Sequence, residues 1–265
     1  MRRILSWTNE PDRFLSAPPL TAAGVTIVRC SSGDSLQAAL ESDRCDCAIL
    51  DPVTAADWLG ATVSRQMLAT TPIVWRFVLT PEAARRITLI AGWLPNGRVS
   101  LRGFDDLNAD VDELLQSPIA PTAELRVLEG LALGPPPQVH MAVVAAAILG
   151  RRRRRLADLA RACRAPPRTI QWQLSHHGEQ TASDLLGWSV ALHTMWRVDV
   201  LNWSLKRSAV TAGFPSGDAL SDYVCRHVGR RPRTLHLQGG FEALLGQWRG
   251  LLSRRSAASH ERRTE

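Results

Sequence analysis

The sequence predicts two architectures in one chain: an α/β N-terminal domain on a parallel five-stranded sheet, then an all-α C-terminal domain. Three observations predict it. Short β-branched runs alternate with helical stripes through residues 1–117. From residue 138 the apolar positions repeat only at helical spacing. Between them lies a joint rich in proline and glycine, with Pro118, Pro121 and Gly134-Pro135-Pro136-Pro137.

In the first region, residues 3–7 and 25–30 read as strands. Ser31-Ser32-Gly33-Asp34 supplies helix-start chemistry, and Leu36, Ala39 and Leu40 form a helical stripe behind it. Residues 45–50 are a third strand, ending at Asp51-Pro52, and residues 54–67 a helix. A fourth strand spans 73–79, and Thr80-Pro81-Glu82 opens a helix with proline in its first turn. Residues 99–101 and 105–115 complete the pattern as a short strand and an amphipathic helix. Repeated β-α units imply a parallel sheet with helices on both faces.

This order resembles a response-regulator receiver domain over about residues 1–116, which implies a flavodoxin-like sheet. Asp51 stands where receivers carry the phosphate-accepting aspartate, and Thr80 where they carry a serine or threonine. The acidic pair that holds Mg²⁺ in receivers is replaced by Ser6-Trp7-Thr8-Asn9-Glu10, and Arg102-Gly103 stands in place of their lysine. Without a cluster of oxygen ligands, Mg²⁺-assisted phosphoryl chemistry has little support. The expectation is a receiver-like domain that does not phosphorylate. Asp51 is the one phosphoacceptor candidate, its alternative role being a turn or helix-start carboxylate.

Past the joint, residues 139–149 form an apolar, buried helix. Leu156, Leu159, Ala160 and Cys163 continue at helical spacing, a turn follows at Arg164-Ala165-Pro166, and Pro167 starts a helix whose Ile170 and Leu174 face inward. Arg168, Thr169, Gln171, Trp172 and Gln173 are left near the outer face. Residues 184–201 are a long helix. A second unit repeats the plan: residues 204–210, a turn at Ala212-Gly213-Phe214, and residues 216–227 with Leu220 and Val224 inward. Gly229-Arg230-Arg231-Pro232 closes it.

Taken in order, Leu159-Ala160, Pro166-Pro167-Arg168-Thr169-Ile170, the long helix, Ala209, Gly213-Phe214 and Gly229-Arg230-Arg231-Pro232 resemble the DNA-binding domain of the AraC family of bacterial regulators. The resemblance covers about residues 139–235. It implies two helix-turn-helix units and a transcriptional regulator that binds double-stranded DNA. Arg168, Thr169, Gln171, Trp172 and Gln173 would read bases from the first unit, and Ser216, Asp218, Ser221 and Asp222 from the second. Trp172 stands where the family usually carries arginine; Leu220 and Asp222 replace an aromatic residue and an arginine. Asp218 and Asp222 bring carboxylates to a face expected to meet phosphates, so the second unit could instead serve a protein partner such as RNA polymerase. The alternative for the whole chain is a degenerate regulator that acts as a protein-interaction module without binding DNA itself.

Charge follows the same division. Residues 1–120 carry 11 basic and 14 acidic side chains, and residues 121–265 carry 21 basic and 11 acidic. That asymmetry points to a polyanion meeting the second half. Arg151, Arg152, Arg153, Arg154 and Arg155 run together, either as a phosphate clamp or as a solvated helix start. Arg226, Arg230 and Arg231 are further phosphate-binding candidates. The five cysteines form no disulfide framework, and Cys45-Asp46-Cys47 lacks zinc spacing. His176-His177 is a surface or capping pair before it is a metal site. No phosphate loop, nucleophile elbow or metal signature stands out. The chain is therefore expected to be no enzyme and to need no cofactor or metal. It is expected to be cytoplasmic, with no membrane contact and with a homodimer or another regulator as possible partners. The expected division is 1–117, a linker at 118–137, the DNA-binding domain at 138–237, and an amphipathic helix with a disordered basic tail at 238–265.

Overall fold

A computed structural model gives the fold and describes residues 2–8, 25–42, 45–59, 62–93, 97–105, 111, 122–131, 135–177 and 180–261. The chain divides into two compact units, Met1–Glu129 and Gly130–Glu265.

The first unit runs β1 (Arg2–Trp7), β2 (Val25–Arg29), α1 (Gly33–Ser42), β3 (Cys47–Leu50), α2 (Ala56–Leu59), α3 (Thr62–Ala69), β4 (Ile73–Phe77), α4 (Pro81–Trp93), β5 (Arg98–Leu101) and α5 (Ala123–Leu128). The five strands form one all-parallel sheet in the order β2-β1-β3-β4-β5. β3, β4 and β5 are buried along their whole length; β3 reads as a continuous apolar run for that reason, whereas β4 carries buried Arg76 and β5 alternates as Arg98-Val99-Ser100-Leu101. Register sets Ile4 between Ile27 and Cys47, and these residues join Ile49, Val74 and Val111 in one core cluster.

The helix expected over 54–67 is two pieces, α2 and α3, with residues 60 and 61 outside the described set. Of the helix expected at 105–115, residues 106–110 and 112–115 lie outside it; Val111 is helical and buried. The expected linker contains a packed helix. α5 buries Ala123, Leu125, Val127 and Leu128 against β5 and α4. The Thr122 hydroxyl donates to the Gly97 carbonyl at 2.9 Å, and the Glu124 carboxylate accepts from the Val99 N–H. Its apolar face assigns this helix to the first unit. Residues 118–121 and 132–134 lie outside the described residues.

The second unit is helical throughout: α6 (Pro137–Leu149), α7 (Leu156–Ala162), α8 (Pro167–His176), α9 (Ala182–Asp199), α10 (Leu205–Ala212), α11 (Gly217–Val228), α12 (Pro232–Leu237) and α13 (Gly240–Glu261). α9 is the central rod, buried from Leu185 to Arg197 and packed by every other helix of the unit. Two glycines allow close approaches to or on the rod: the Gly150 backbone sits against Ser189, and the His227 ring lies directly on Gly187, where any Cβ would collide with it. α12 was not expected from the sequence. In α13, Phe241, Leu244, Leu245 and Trp248 are buried, and Phe241 meets Trp196 of α9 edge-on at 5.2 Å. That stripe is consumed inside the unit. The tail expected to be disordered from Ser253 instead extends α13 to Glu261. Among the described residues, no helix is long and apolar enough to cross a membrane.

Candidate nucleic-acid interface

Two helix pairs are built around the same turn. In the first, α7 and α8 are joined through Arg164, whose φ of +52° is left-handed, and the Ala165 N–H donates to the Ala160 carbonyl at 3.0 Å. In the second, α10 and α11 are joined through Gly213, with φ of +79°, and the Phe214 N–H donates to the Ala209 carbonyl at 2.9 Å. Both accepting alanines are buried. A side chain no larger than methyl there lets the second helix cross close to the first. Phe214 fills the second turn at 5% exposure. Pro167 starts α8, and the Ser216 hydroxyl starts α11 by accepting the Ala219 N–H at 3.1 Å. α9 packs against all four of these helices.

The outer face of α8 is a single stripe. Arg168, Trp172 and His176 follow at four-residue intervals and are all exposed, on one side of the helix. Trp172, at 61% exposure, stacks on His176 with centroids 4.9 Å apart and planes 12° from parallel. Thr169 and Gln171 are half-buried beside it. Gln173, expected as a base reader, instead turns its side-chain carbonyl oxygen inward, away from solvent and without a hydrogen-bond partner among the described residues. His176 is the functional candidate that the sequence reading did not place on this face; the 168–172–176 spacing is the signal that carries it.

On α11 the expected outer set divides. Asp218 and Asp222 are exposed, but Ser221 is buried at 7% and cannot present its hydroxyl to a ligand. It follows Leu220, and α11 buries both against the unit's core. Asp222 is held by Arg231 at 3.2 Å, so the carboxylate and one candidate phosphate-binding arginine neutralise each other. Arg230 donates to the Gln238 side chain at 2.8 Å, and Arg226 is exposed.

The arginine run is a strap, not a helix turn. Only Arg155 reaches α7, as its N-cap residue, with its N–H accepted by Asp158 Oδ2 at 3.0 Å. Arg151, expected to clamp phosphate, is buried at 6%, and its carbonyl accepts from Arg197 at 3.0 Å. Arg153 donates its N–H to the Ala212 carbonyl at 2.8 Å, and its guanidinium lies over both Phe214 and Tyr223. Burial pushes the Tyr223 hydroxyl pKa up, against the opposing pull of Arg153 and Arg226. Arg152 and Arg155 remain exposed and Arg154 half-buried. A further cationic surface lies at the start of α10, where exposed Arg207 stacks on Trp203 with 3.9 Å to the ring centroid and Lys206 stands beside it.

In the first unit, Asp51 is a turn-forming carboxylate. It is buried at 7%, and its Oδ1 accepts the N–H groups of Val53 at 2.9 Å and Thr54 at 3.1 Å. Arg102 stands 3.8 Å from Oδ2. The Thr80 hydroxyl accepts the Ala83 N–H and starts α4. Both positions therefore serve the chain's own backbone. Of the acid-pair region, Asn9 and Glu10 lie outside the described residues. Among the described residues, no group of three or more His, Cys, Asp or Glu could hold a metal ion.

Comparison with protein-family models, with curated proteins and with solved structures gives no match.

Proposed function

We propose that the chain is a DNA-binding transcriptional regulator of AraC type, whose second unit carries two helix-turn-helix elements. The observation that carries this reading is the repeated turn. Ala160 and Ala209 accept the same backbone hydrogen bond, in each case from the residue just past a left-handed one, and each turn leads into a helix with an apolar inner face. α8 and α11 are the recognition helices of this reading, with α9 as the brace between the elements. Residues 151–177 hold eight arginines, six of them exposed, and one acidic residue, Asp158, and Asp158 is committed to Arg161 and to the α7 start. Such a surface favours a polyanion.

The first element carries most of the base reading in this account, through α8. The second contributes backbone contacts from Lys206, Arg207 and Arg226, because its outward carboxylates oppose close approach of α11. The sheet order supports a flavodoxin-like, receiver-like first unit that receives a signal or a partner, with Asp51 as a turn residue rather than a phosphoacceptor. RNA polymerase, another regulator or a second copy are the partners this account allows. The Asp222–Arg231 pair specifically favours one alternative, in which the second element docks on protein.

Selection of bound duplexes from a random pool by the full-length chain tests the reading. A recurring sequence is expected, with affinity falling steeply as salt rises. Absence of binding at low salt overturns it and leaves the interaction-module alternative.

A further inference from the structure

We propose that Trp172 reads thymine, by packing its indole on the C5-methyl group in the major groove. The inference rests on the DNA-binding reading above and specifies what α8 recognises. Among the described residues of the second unit, Trp172 is the one aromatic of the strongly exposed large apolar side chains; the others are Val200, Val210 and Leu237. Tryptophan is enriched at contact surfaces because its ring joins a broad apolar face to one polar edge.

Its surroundings select the contact. Exposed Arg168 lies one turn earlier on the same stripe, exposed Arg161 and Arg164 lie on the preceding helix and turn, and α8 has no acidic residue. The charge around Trp172 therefore suits a nucleic-acid duplex. Within the major groove the only apolar group on a base edge is the thymine methyl; the other signals are hydrogen-bond donors and acceptors. Indole offers a single N–H donor and no acceptor, so it cannot make the paired bonds by which arginine or glutamine distinguishes purines. What it offers is a flat apolar face. Stacking of one face on His176 orients the ring and leaves the opposite face for the methyl, so less side-chain freedom remains to be lost on binding. Arg168, about 6 Å further along the helix axis, is placed to contact the neighbouring base pair or its phosphate while the indole covers the methyl.

The test uses the full-length chain and the duplex obtained by selection. Each thymine is replaced in turn by deoxyuridine, which removes the methyl and leaves the hydrogen-bonding groups. Wild type is expected to lose about fourfold in affinity at one or two thymines, the value of one buried methyl group. Trp172→Ala is expected to bind the parent duplex more weakly and to ignore the same replacements, whereas Trp172→Phe keeps part of the discrimination. Trp172 is exposed, so neither variant should unfold; urea melting checks this. Tolerance of uracil at every position overturns the proposal while leaving DNA binding intact. So does uracil sensitivity that persists unchanged in Trp172→Ala. If no duplex is bound at about 50 mM salt, where phosphate contacts are strong, both the proposal and the reading beneath it fall.

Discussion

The guanidinium of Arg153 lies 5.5 Å from the centroid of the Phe214 ring, so the arginine run that precedes the first helix pair is fastened to the turn of the second. The backbone bond from Arg153 to Ala212 fixes the same joint. A side chain that reads as a solvated charge therefore helps set how the two pairs sit on α9. Arg153→Ala should cost about 0.5–1 kcal/mol, the usual worth of an exposed cation–π contact. Arg153→Met, which keeps most of the apolar stem, should recover part of the packing but not the electrostatic part. Urea melts of the three proteins measure this, and an Arg153→Ala stability equal to wild type would show that the contact is idle.

At Gly187 the His227 ring of α11 lies directly on the rod. Alanine is the better helix former by roughly 1 kcal/mol, so a helix considered alone would gain from Gly187→Ala. The His227 ring occupies the place of the new methyl. Displacing it also disturbs its contact with Asp184 at 3.4 Å. Overpacking of this kind costs about 1–3 kcal/mol, and the net effect should be destabilising. Removing the obstacle reverses the sign: Gly187→Ala should be neutral or stabilising in a His227→Ala background. A double-mutant cycle in urea decides it.

Arg164 takes the left-handed conformation that Gly213 takes at the matching turn. A non-glycine residue there carries a steric cost of roughly 1 kcal/mol. Arg164→Gly should therefore raise stability by a comparable amount, even though it removes a charged side chain. Under the proposed function it should also weaken duplex binding. Stability and affinity moving in opposite directions is the expected signature; a loss of both would mean that the arginine side chain supports the fold.

Much of the architecture is legible in residue patterns. β3 and most of β4 show as apolar runs because both of their faces are covered, and α9 shows because its length and caps are ordinary. Thr181 caps it through the Asp184 N–H at 3.2 Å. What escapes the pattern is what depends on a neighbour. Ser221 sits one position from an outward-facing residue, and only packing decides that it is buried. Gln173 reads as outward by helical phase, yet its oxygen turns in. The arginine run looks uniform in sequence but divides into buried Arg151, ring-bound Arg153 and exposed Arg152 and Arg155, because Arg151 is held at Arg197 of α9 and Arg153 at Ala212 and Phe214. Asp51 sits in a position that suggests chemistry, and its two backbone hydrogen bonds show that the local turn already uses it.

Burial pushes the Cys163 thiol up to about 12 from its ordinary 9. Its ionised form is disfavoured only in the folded chain. The stability this contributes is complete below pH 9 and is lost as pH rises from about 9 to about 12, when the unfolded chain gives up a proton that the folded chain retains. The raised Tyr223 acts in the same direction. The midpoint of urea unfolding should fall between pH 8 and pH 10.5, and fall less in Cys163→Ala. An identical fall in both proteins would remove Cys163 as a cause. At pH 8 the native thiol should also resist a disulfide reagent that modifies it quickly in urea.

Salt dependence separates the arginines that face a ligand from those that hold the fold. Each phosphate neutralised on B-form DNA contributes about 0.9 to the slope of log affinity against log salt. Arg152 and Arg155 are exposed, and replacing either with glutamine should lower the slope by up to that amount while leaving urea stability nearly unchanged. Arg151 is buried, so Arg151→Gln should instead destabilise the second unit; in the fraction that remains folded, the slope should match wild type. Asp222 offers the converse case. Its carboxylate holds Arg231, and Asp222→Asn both removes a repelling charge and releases that guanidinium. If α11 approaches the duplex at all, this variant should bind more tightly and with a steeper slope. If affinity and slope stay as in wild type, α11 does not contact the duplex, and the second helix pair is left to a protein partner.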